Sequence, residues 1–177
     1  MSTKYVMENN AQGKSGVSMR EDITNTPEVA SRLFARDLWI NSETPARIDP
    51  YPDPTTPGKI RHEPPEGGAI FRLVDYMPGV TRTIEEQKRM HAQIGSAHVP
   101  SDDAFHSLKH PSMHKTDTIN YMVLVSGELW ALTETEDVLL KPGDVLVQKG
   151  CMHGWRNDGT VPARLLAVLI DSQPGRA

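Results

Sequence analysis

Two histidines near the ends of one β-rich segment are the residues of this chain best suited to chemistry. The segment covers residues 110–157, with His114 near its start and His153 near its end. An imidazole changes charge close to neutral pH, so it can take and return a proton, and its bare nitrogen can also bind a metal ion. Thr116 and Asn120 follow His114, and their hydroxyl and amide groups can hydrogen-bond a carbonyl or enolate oxygen.

The spacing around His114 predicts a polar pocket above an apolar floor. If residues 113–125 form one strand, alternate side chains share a face. One face then holds His114, Thr116, Thr118, Asn120, Met122 and Leu124. A barrel interior has this gradient when one end is a wet pocket and the other a packed core. Asp117 falls on the opposite face. We predict that His114, His153, Thr116 and Asn120 are catalytic, and that Thr118 and Met122 bind substrate.

Short strands separated by sharp turns must position these groups. The expected strands are Tyr121 to Val125, Glu128 to Thr133, Val138 to Leu140 and Val145 to Gln148. The turns between them carry Ser126-Gly127, residues 134–137 and the Lys-Pro-Gly-Asp sequence of residues 141–144. Strands this short with turns this frequent are typical of an all-β barrel or sandwich. Folding the segment over brings its two ends together, so His114 and His153 face one another inside the barrel.

The same segment resembles the cupin family. The family's first motif is a His, a second His two positions on, a Glu four further and a Gly seven beyond; these places hold His114, Thr116, Asn120 and Gly127. The Gly, Pro, Gly, His and Asn of the second motif fall on Gly143, Gln148, Gly150, His153 and Asn157, with one residue fewer than usual between the first two. Residues 64–76 and 163–171 resemble the flanking strands of single-domain cupins, and the stretch from Lys4 to Asp22 resembles an N-terminal hairpin.

The resemblance implies an all-β chain: a cupin-type jelly-roll β-barrel with an N-terminal β-hairpin extension and one short helical insertion. We expect an extension over residues 1–65 that packs on the barrel, and a barrel over residues 66–177 with an insertion at about 77–109, in one structural domain. In the insertion, the capping box from Thr83 to Glu86 predicts a helix over Ile84 to Ile94. We expect Ser96 to Lys109 to be a loop that carries His98 and His106 on the surface.

Two parts of the N-terminal region have competing interpretations. The Thr26-Pro27 pair could start a helix over Glu28 to Ala35, but an extended strand through Leu33 to Ile40 is an equal alternative. Pro45 to Pro65 is rich in Pro and Gly and is therefore irregular. This long segment either crosses the pocket mouth as a lid or packs against the barrel.

The resemblance also implies a metal site of three His and one Glu, which holds Fe, Mn, Ni or Zn. Only His114 and His153 are kept here, so they are candidate ligands for a weakly bound divalent metal, and the cofactor is otherwise unknown. Thr116 and Asn120 are weak, uncharged donors that do not offset a metal's charge. His110 or a residue of the insertion could complete the set, and whether His62, His91 or His106 joins the site is left open.

Without a strong metal site, these residues favour non-oxidative acid–base chemistry: decarboxylation, dehydration, isomerisation or cyclisation of a carbonyl or phenolic metabolite. One alternative is an iron-dependent cupin dioxygenase, and another is a cupin that binds a small molecule without converting it. Met122 and Leu124, with Trp130 or Trp155, favour a flat apolar substrate. Tyr76 and Trp155 are further candidate substrate-binding residues, as is Arg72, which either anchors an acidic substrate or lies on an exposed face.

Composition limits the partners. The 177 residues suffice for one domain, and a net charge of −4 without a basic cluster gives no reason to expect nucleic acid. No apolar run is long enough to span a membrane, and no apolar leader begins the sequence, so we expect a cytoplasmic protein. The single cysteine, Cys151, excludes an intrachain disulfide and is expected to be an apolar filler. Residues 121–125 are apolar on both faces, which predicts a cover by the N-terminal segment or by a second copy in a homodimer.

Overall fold

The computed structural model describes residues 2–23, 26–30 and 32–173, and it confirms the jelly-roll β-barrel. Both ends of the predicted domains, residue 1 and residues 174–177, lie outside these ranges. The strands are β1 (Ser2–Asn9), β2 (Ser15–Ile23), β3 (Glu28–Ala30), β4 (Leu33–Asn41), β5 (Ala69–Tyr76), β6 (Thr118–Ser126), β7 (Leu129–Leu132), β8 (Asp137–Leu140), β9 (Val145–Lys149), β10 (Gly154–Arg156) and β11 (Ala163–Asp171). The helices are α1 (Ile84–Gln93) and α2 (Asp102–Ser107).

Two antiparallel sheets form the barrel walls. One has the strand order β3-β4-β5-β11-β6-β9 and the other the order β10-β7-β8. Their inner faces share one apolar core, in which Leu124 and Leu165 of the larger sheet pack with Leu129 and Leu140 of the smaller one. Each fully buried leucine of this kind contributes about 1.5–3 kcal/mol to stability. The core closes one end of the barrel and leaves the other end for a pocket.

The alternation predicted around β6 is confirmed on its inner face, and of the two covers expected on its outer face the second copy of the chain stays a prediction. Thr116, Thr118, Asn120, Met122 and Leu124 are all buried. On the opposite side, however, Tyr121 is 50% exposed and Val125 is 49% exposed, so the described part of the chain does not cover this face. The N-terminal hairpin of β1 and β2 forms a sheet of its own. It therefore does not supply the expected cover.

The region before β5 is extended, so the helix expected as one alternative over residues 28–35 is wrong. β3 and β4 are strands, and β4 pairs with β5 in antiparallel register, with Ala35 opposite Val74. Ala35 and Leu38 are both buried. Ala35 lines the cavity, whereas Leu38, next to a register shift in β4, packs with Ile23 and Leu73 in a separate apolar cluster. Residues of the N-terminal extension thus form part of the barrel's larger sheet.

The insertion contains two helices. α1 begins at the predicted capping box, in which Thr83 accepts a hydrogen bond from the Glu86 amide and Glu86 accepts one from the Thr83 amide. The expectation of a loop from Ser96 to Lys109 is wrong over Asp102–Ser107, where α2 forms. Ser101 caps α2 by accepting from the Ala104 amide, and two acidic residues occupy its first turn.

The apolar side of α1 fixes the insertion to the barrel. Met90 and Ile94 are buried in a small cluster with Ala30, and Leu33 and Ile60 pack against it. This cluster joins the insertion to β3, β4 and the irregular segment before β5. No helix in the described ranges is long and apolar enough to cross a membrane.

Candidate active site

A cavity of about 140 Å³ opens at the polar end of the barrel, between the larger sheet, α1 and the end of the irregular segment. An engineered apolar cavity of about 150 Å³ accommodates benzene, so this volume suits a single small ring. Most predicted site residues line it: His114, His153, Thr116, Asn120, Met122, Arg72, Tyr76 and Trp155. Thr118 lies behind this wall, where its hydroxyl is 2.8 Å from that of Thr116.

His114 and His153 face each other at the cavity wall, as the sequence predicted. The two residues form an isolated antiparallel bridge with hydrogen bonds from each backbone amide to the other's carbonyl, of 2.8 and 2.9 Å. Their ring centroids are 4.3 Å apart. The continuous strand predicted over residues 113–125 is wrong at its start, because β6 begins only at Thr118. His114 is therefore held by the isolated bridge and not by β6.

Backbone carbonyls set the tautomers of both rings. Nδ1 of His114 is 2.8 Å from the Ser112 carbonyl, and Nδ1 of His153 is 3.0 Å from the Cys151 carbonyl. A carbonyl can only accept, so each Nδ1 carries the proton and each Nε2 keeps its lone pair. The Gln148 side-chain amide lies 2.7 Å from Nδ1 of His153 and 3.2 Å from Nε2. With the amide turned over, its oxygen accepts from the Nδ1 proton and Nε2 of His153 stays free.

Both rings are neutral at pH 7 because the site is dry. Burial lowers the pKa of His114 well below its usual value, and the nearby His153 and His62 lower it further. Burial likewise lowers the pKa of His153 to about 4, although its bond to the Cys151 carbonyl opposes this shift. Each imidazole therefore presents a bare nitrogen over the whole neutral range.

Two further histidines, whose part in the site the sequence left open, join this pair. His62 comes from the irregular segment and His91 from α1. The His62 ring centroid is 5.0 Å from that of His114 and 5.2 Å from that of His91, and the His91–His114 separation is 5.5 Å. Burial and the nearby His62 lower the pKa of His91 to about 4. The insertion and the irregular segment thus build half of the imidazole cluster formed by His62, His91, His114 and His153.

Helical spacing could have indicated His91, whereas no local signal indicates His62. Gln87, Met90, His91 and Ile94 recur at intervals of three and four, and all are buried on the barrel side of α1. His62 lies among prolines and glycines, and its position depends on contacts with residues far along the chain. Its amide donates to the Ile94 carbonyl at 2.8 Å, and its Nδ1 is 2.7 Å from the Ser96 hydroxyl.

Unpartnered polar atoms surround the imidazole cluster. Among the described residues, four buried side-chain atoms have no hydrogen-bond partner: Gln87 Oε1, His91 Nδ1, Asn120 Oδ1 and Gln148 Oε1. All four belong to residues that line the cavity or contact the imidazole cluster. Buried polar groups are normally partnered, because an unpartnered one costs about 1–3 kcal/mol. The polar groups left unsatisfied in the described structure are therefore concentrated at the imidazole cluster.

The donor set does not fit the metal that the family resemblance implies. Two of the four family positions hold Thr116 and Asn120, and the Thr116 hydroxyl is engaged with Thr118. Within the described ranges, no group of three or more His, Cys, Asp or Glu side chains is placed to hold a metal ion. A divalent ion would also find no carboxylate among the family positions to offset its charge. Weak binding of a metal by His114 and His153 stays a prediction.

Arg72 lines the cavity, but its charge is already paired. Its Nε and Nη2 donate to the two carboxylate oxygens of Asp37 at 2.6 and 3.2 Å, and Nη1 donates to the His62 carbonyl at 3.4 Å. The residue is 6% exposed, so its interpretation as an exposed-face arginine is wrong. With its guanidinium committed to Asp37, Arg72 is poorly placed to anchor an acidic substrate. That role stays a prediction.

Two aromatic residues line the cavity beside His153. Tyr76 and Trp155 have ring centroids 5.7 Å apart, and Trp155 is 5.9 Å from the His153 ring. Burial raises the pKa of the Tyr76 phenol, so its hydroxyl stays protonated and can donate a hydrogen bond. Trp130 is not among the lining residues; Arg156 lies 5.6 Å over its ring instead.

The remaining candidates lie outside the cavity. His98 and His106 are exposed, as expected. His110 is bonded through Nδ1 to the Ser112 hydroxyl at 2.7 Å and does not line the cavity. Cys151 is exposed, so the expectation of an apolar filler is wrong; its carbonyl, rather than its thiol, serves the site.

Several named proteins are similar to this chain in sequence. The cupin-domain-containing oxidoreductase virC of Hypocrea virens is 23% identical over 180 residues, which cover 97% of this chain and 76% of the relative. The oryzines biosynthesis cluster protein J of Aspergillus oryzae is 34% identical over 110 residues, or 61% of this chain and 45% of the relative. The phomopsin biosynthesis cluster protein C' of Diaporthe leptostromiformis is 27% identical over 183 residues, which cover 97% of this chain and 79% of the relative. No family model matches the chain.

Solved structures are similar at low identity. The structure of KdgF from Halomonas sp. aligns with a TM-score of 0.47 and 11% identity, over 84% of this chain and 89% of the other. TT1209 from Thermus thermophilus aligns with a TM-score of 0.39 and 20% identity, over 59% of this chain and 74% of the other.

Proposed function

Because this chain belongs to the cupin superfamily, we propose that it is a small-molecule enzyme of secondary metabolism. We propose further that it catalyses a non-oxidative acid–base reaction on a flat carbonyl or phenolic metabolite. The reaction is a decarboxylation, dehydration, isomerisation or cyclisation, each of which needs proton transfer and no oxidant. Relatives whose names refer to the oryzines and phomopsin biosynthesis clusters support the metabolic setting.

The observation that carries this proposal is the imidazole cluster itself. Three buried rings and the half-buried ring of His114 converge at one end of a small cavity, and the carbonyls of Ser112 and Cys151 leave the Nε2 atoms of His114 and His153 unprotonated. A neutral imidazole in a dry pocket can take a proton from a bound substrate and return it to another atom. Such positioned proton transfer accelerates a reaction about 10²–10⁴-fold.

The other lining groups suit a substrate oxygen. The protonated Tyr76 hydroxyl can donate a hydrogen bond to that oxygen, whereas the unpartnered Oδ1 of Asn120 can only accept one, for example from a substrate hydroxyl. A carbonyl that becomes an enolate gains negative charge on oxygen, so donors aimed at that oxygen stabilise the transition state. Met122, Trp155 and Tyr76 provide flat apolar contacts, and the cavity volume matches one small ring.

A substrate panel tests the proposal. Purified protein is incubated with small phenols, aryl ketones, β-keto acids and hydroxylated ketones, and the products are identified by mass spectrometry. We expect loss of carbon dioxide, loss of water or an isomer of unchanged mass. The His114→Ala, His153→Ala double variant is expected to lose at least about 100-fold in turnover, while a His106→Ala control retains it. Equal turnover by the double variant contradicts the proposal.

A second candidate is an oxidoreductase, because four relatives carry that word in their names. The same panel separates the two. Incorporation of oxygen, or a product that differs by two hydrogens, together with near-stoichiometric iron or manganese in protein purified without chelator, favours this candidate. A compound that binds and is never changed indicates instead the third alternative, a small-molecule-binding cupin.

A further inference from the structure

His62 differs from the other members of the imidazole cluster in having a carboxylate beside it. Oε1 of Glu63 lies 3.3 Å from Nδ1 of His62. Among the described residues, the ring nitrogens of His91, His114 and His153 have amide or carbonyl neighbours but no carboxylate within ion-pair distance. His62 alone in the cluster therefore has a fixed negative charge next to its ring.

The Glu63 carboxylate is ionised at neutral pH. Burial by itself raises the pKa of Glu63, but hydrogen bonds from His62 and from the Ala97 amide lower it below its usual value. The Ala97 amide lies 3.1 and 3.3 Å from the two carboxylate oxygens. This bond fixes the carboxylate from the side of the insertion, so Glu63 is held in place rather than swinging in solvent.

The same contacts orient the His62 ring. Nδ1 is engaged by the Ser96 hydroxyl at 2.7 Å and by Glu63, and the backbone amide of His62 is bonded to the Ile94 carbonyl. His62 also lines the cavity. Since Nδ1 is directed at Glu63 and Ser96, Nε2 is the nitrogen left for a bound molecule. Many enzymes transfer protons with a histidine in which one ring nitrogen is hydrogen-bonded to a carboxylate and the other faces the substrate.

The charges around His62 leave Glu63 as its dominant partner. From β5, Arg72 approaches, but Asp37 neutralises its guanidinium. From α1 and the bridge come His91 and His114, both neutral. His153 behind them is neutral as well. Arg82 also lines the cavity and acts on His91, and His98 acts on Glu63. The Arg61 side chain donates to the Glu63 carbonyl at 2.7 Å and is thereby held on the chain's outer side.

We propose that His62, positioned by Glu63 and Ser96, is the catalytic base of this site. This inference rests on the proposed acid–base function. Nε2 of His62 takes a proton from a carbon next to a carbonyl, or from a phenolic oxygen. The electron pair of the broken bond moves into an enolate or phenolate. The imidazolium, stabilised by Glu63, exchanges its proton with solvent and then gives a proton to another atom of the same molecule, so no oxidant or reductant is consumed.

His114 and His153 then have a different part. Charging either ring in its buried position is costly, as their lowered pKa values indicate. Their bare Nε2 atoms instead accept hydrogen bonds from hydroxyl groups of the substrate and hold it against His62. The base is therefore supplied by the segment before β5 and the insertion, outside the two motifs that resemble the family.

The tautomer of His62 tests the arrangement without any substrate. Nitrogen-15 NMR of the ring nitrogens is recorded at a pH where the ring is neutral. We expect the proton of His62 on Nδ1 and a bare Nε2. A proton on Nε2 in the resting protein overturns the inference, because no lone pair would then face the cavity.

Turnover variants test the role in catalysis. With the compound identified by the panel, His62→Gln should lower kcat at least about 100-fold and leave KM within about threefold. Glu63→Gln should lower kcat by about tenfold and leave KM unchanged, because the His62 ring loses the partner that orients it and that stabilises its charged form in the transition state. Circular dichroism checks that both variants fold.

A matched control exists on the surface. Nε2 of His98 lies 3.3 Å from Oδ2 of Asp117, the same separation as in the His62–Glu63 pair, but outside the cavity. Asp117→Asn should leave kcat and its pH profile unchanged. Wild-type turnover by His62→Gln overturns this inference alone, whereas a panel in which nothing is converted overturns the proposed function. The tautomer of His62 is measured without substrate, so the NMR result tests this inference even if no compound in the panel is converted.

Discussion

His114 and His153 exchange two backbone hydrogen bonds, and this bridge holds their ring centroids 4.3 Å apart. Residues from the two ends of the folded-over segment thereby become one structural unit. Because the carbonyls of Ser112 and Cys151 also fix both Nδ1 protons, the two rings can move little relative to each other. The pair is a fixed wall against which His62 and His91 are placed.

The buried ion pair of Arg72 and Asp37 should be important for stability. Removing one partner leaves an uncompensated charge in a dry site, which costs about 3–5 kcal/mol. We expect Asp37→Asn to lower the free energy of unfolding by that amount in urea titrations. Glu43→Gln, which breaks an exposed pair with Arg47 at 3.9 Å, should change it by less than about 1 kcal/mol. Equal effects of the two variants would show that the buried Arg72–Asp37 pair contributes no more to the free energy of unfolding than the exposed pair.

Stability should fall as the pH drops from about 6.5 towards 4. The pKa of His114 is well below its usual value and those of His91 and His153 are about 4, whereas in the unfolded chain all three titrate near about 6.5. In this window the unfolded chain binds protons that the folded chain does not, so acid favours unfolding. This contribution to stability is fully present above about pH 6.5 and is lost as the pH falls from there towards 4.

Urea unfolding measured across that window checks this sign. His153→Gln should flatten the dependence of unfolding free energy on pH, because it removes one of the three groups that take up a proton. His106→Gln, at an exposed position, should leave the dependence unchanged. A stability that is flat from neutral pH to the bottom of the window would contradict the buried, neutral state of the cluster.

Gly127 should tolerate alanine worse than Gly143. Both have positive φ, 75° and 93°, where a side chain costs about 1–2 kcal/mol. A Cβ at Gly127 would also lie 2.7 Å from Ala163 Cα and from the Pro162 carbonyl oxygen, whereas one at Gly143 would meet open space. We expect Gly127→Ala to be the more destabilising in thermal unfolding, by about 1–3 kcal/mol beyond Gly143→Ala. Equal losses would place the close approach of the two turns in doubt.

The homodimer predicted from the sequence remains a prediction, and the structure indicates the face to test. Tyr121 and Val125 on β6 and Val145 and Val147 on β9 are exposed side by side on the larger sheet. An apolar patch of this kind on a sheet is typical of an interaction surface. We expect light scattering to report a dimer that Tyr121→Lys, Val147→Lys converts to a monomer. A monomeric wild-type protein, or a double variant that still dimerises, would exclude this face.

The fold was largely predictable because its signals are local. Short strands, glycine turns and the Thr83–Glu86 capping box each depend on a few neighbouring residues. His114 and His153 were found because turns return the chain on itself and alternation selects a face. His62 was beyond prediction, since its place depends on Ile94, Ser96 and Glu63 acting together across the insertion. The cover of the outer face of β6 could not be assigned from the sequence, because an apolar face does not show whether its cover belongs to the same chain.

The α2 helix was missed for a different reason. Ser101, Asp102 and Asp103 are a helix start that the sequence displayed, but the six-residue helix they begin has little apolar periodicity. Phe105 is its buried anchor, and Lys88 of α1 lies 5.8 Å over that ring. Contact with α1 thus supplies stability that local propensity does not.

The central claim is that imidazoles at the cavity wall move a proton to and from the substrate. Solvent deuterium reports this transfer most directly. The compound converted in the panel is incubated with the protein in D₂O, without oxygen and with a chelator present, and the product is analysed by NMR. The account predicts deuterium at the carbon that receives the proton, at a rate the His114→Ala, His153→Ala double variant does not reach. Conversion that requires oxygen or an added metal, or that proceeds equally fast in the double variant, would contradict it.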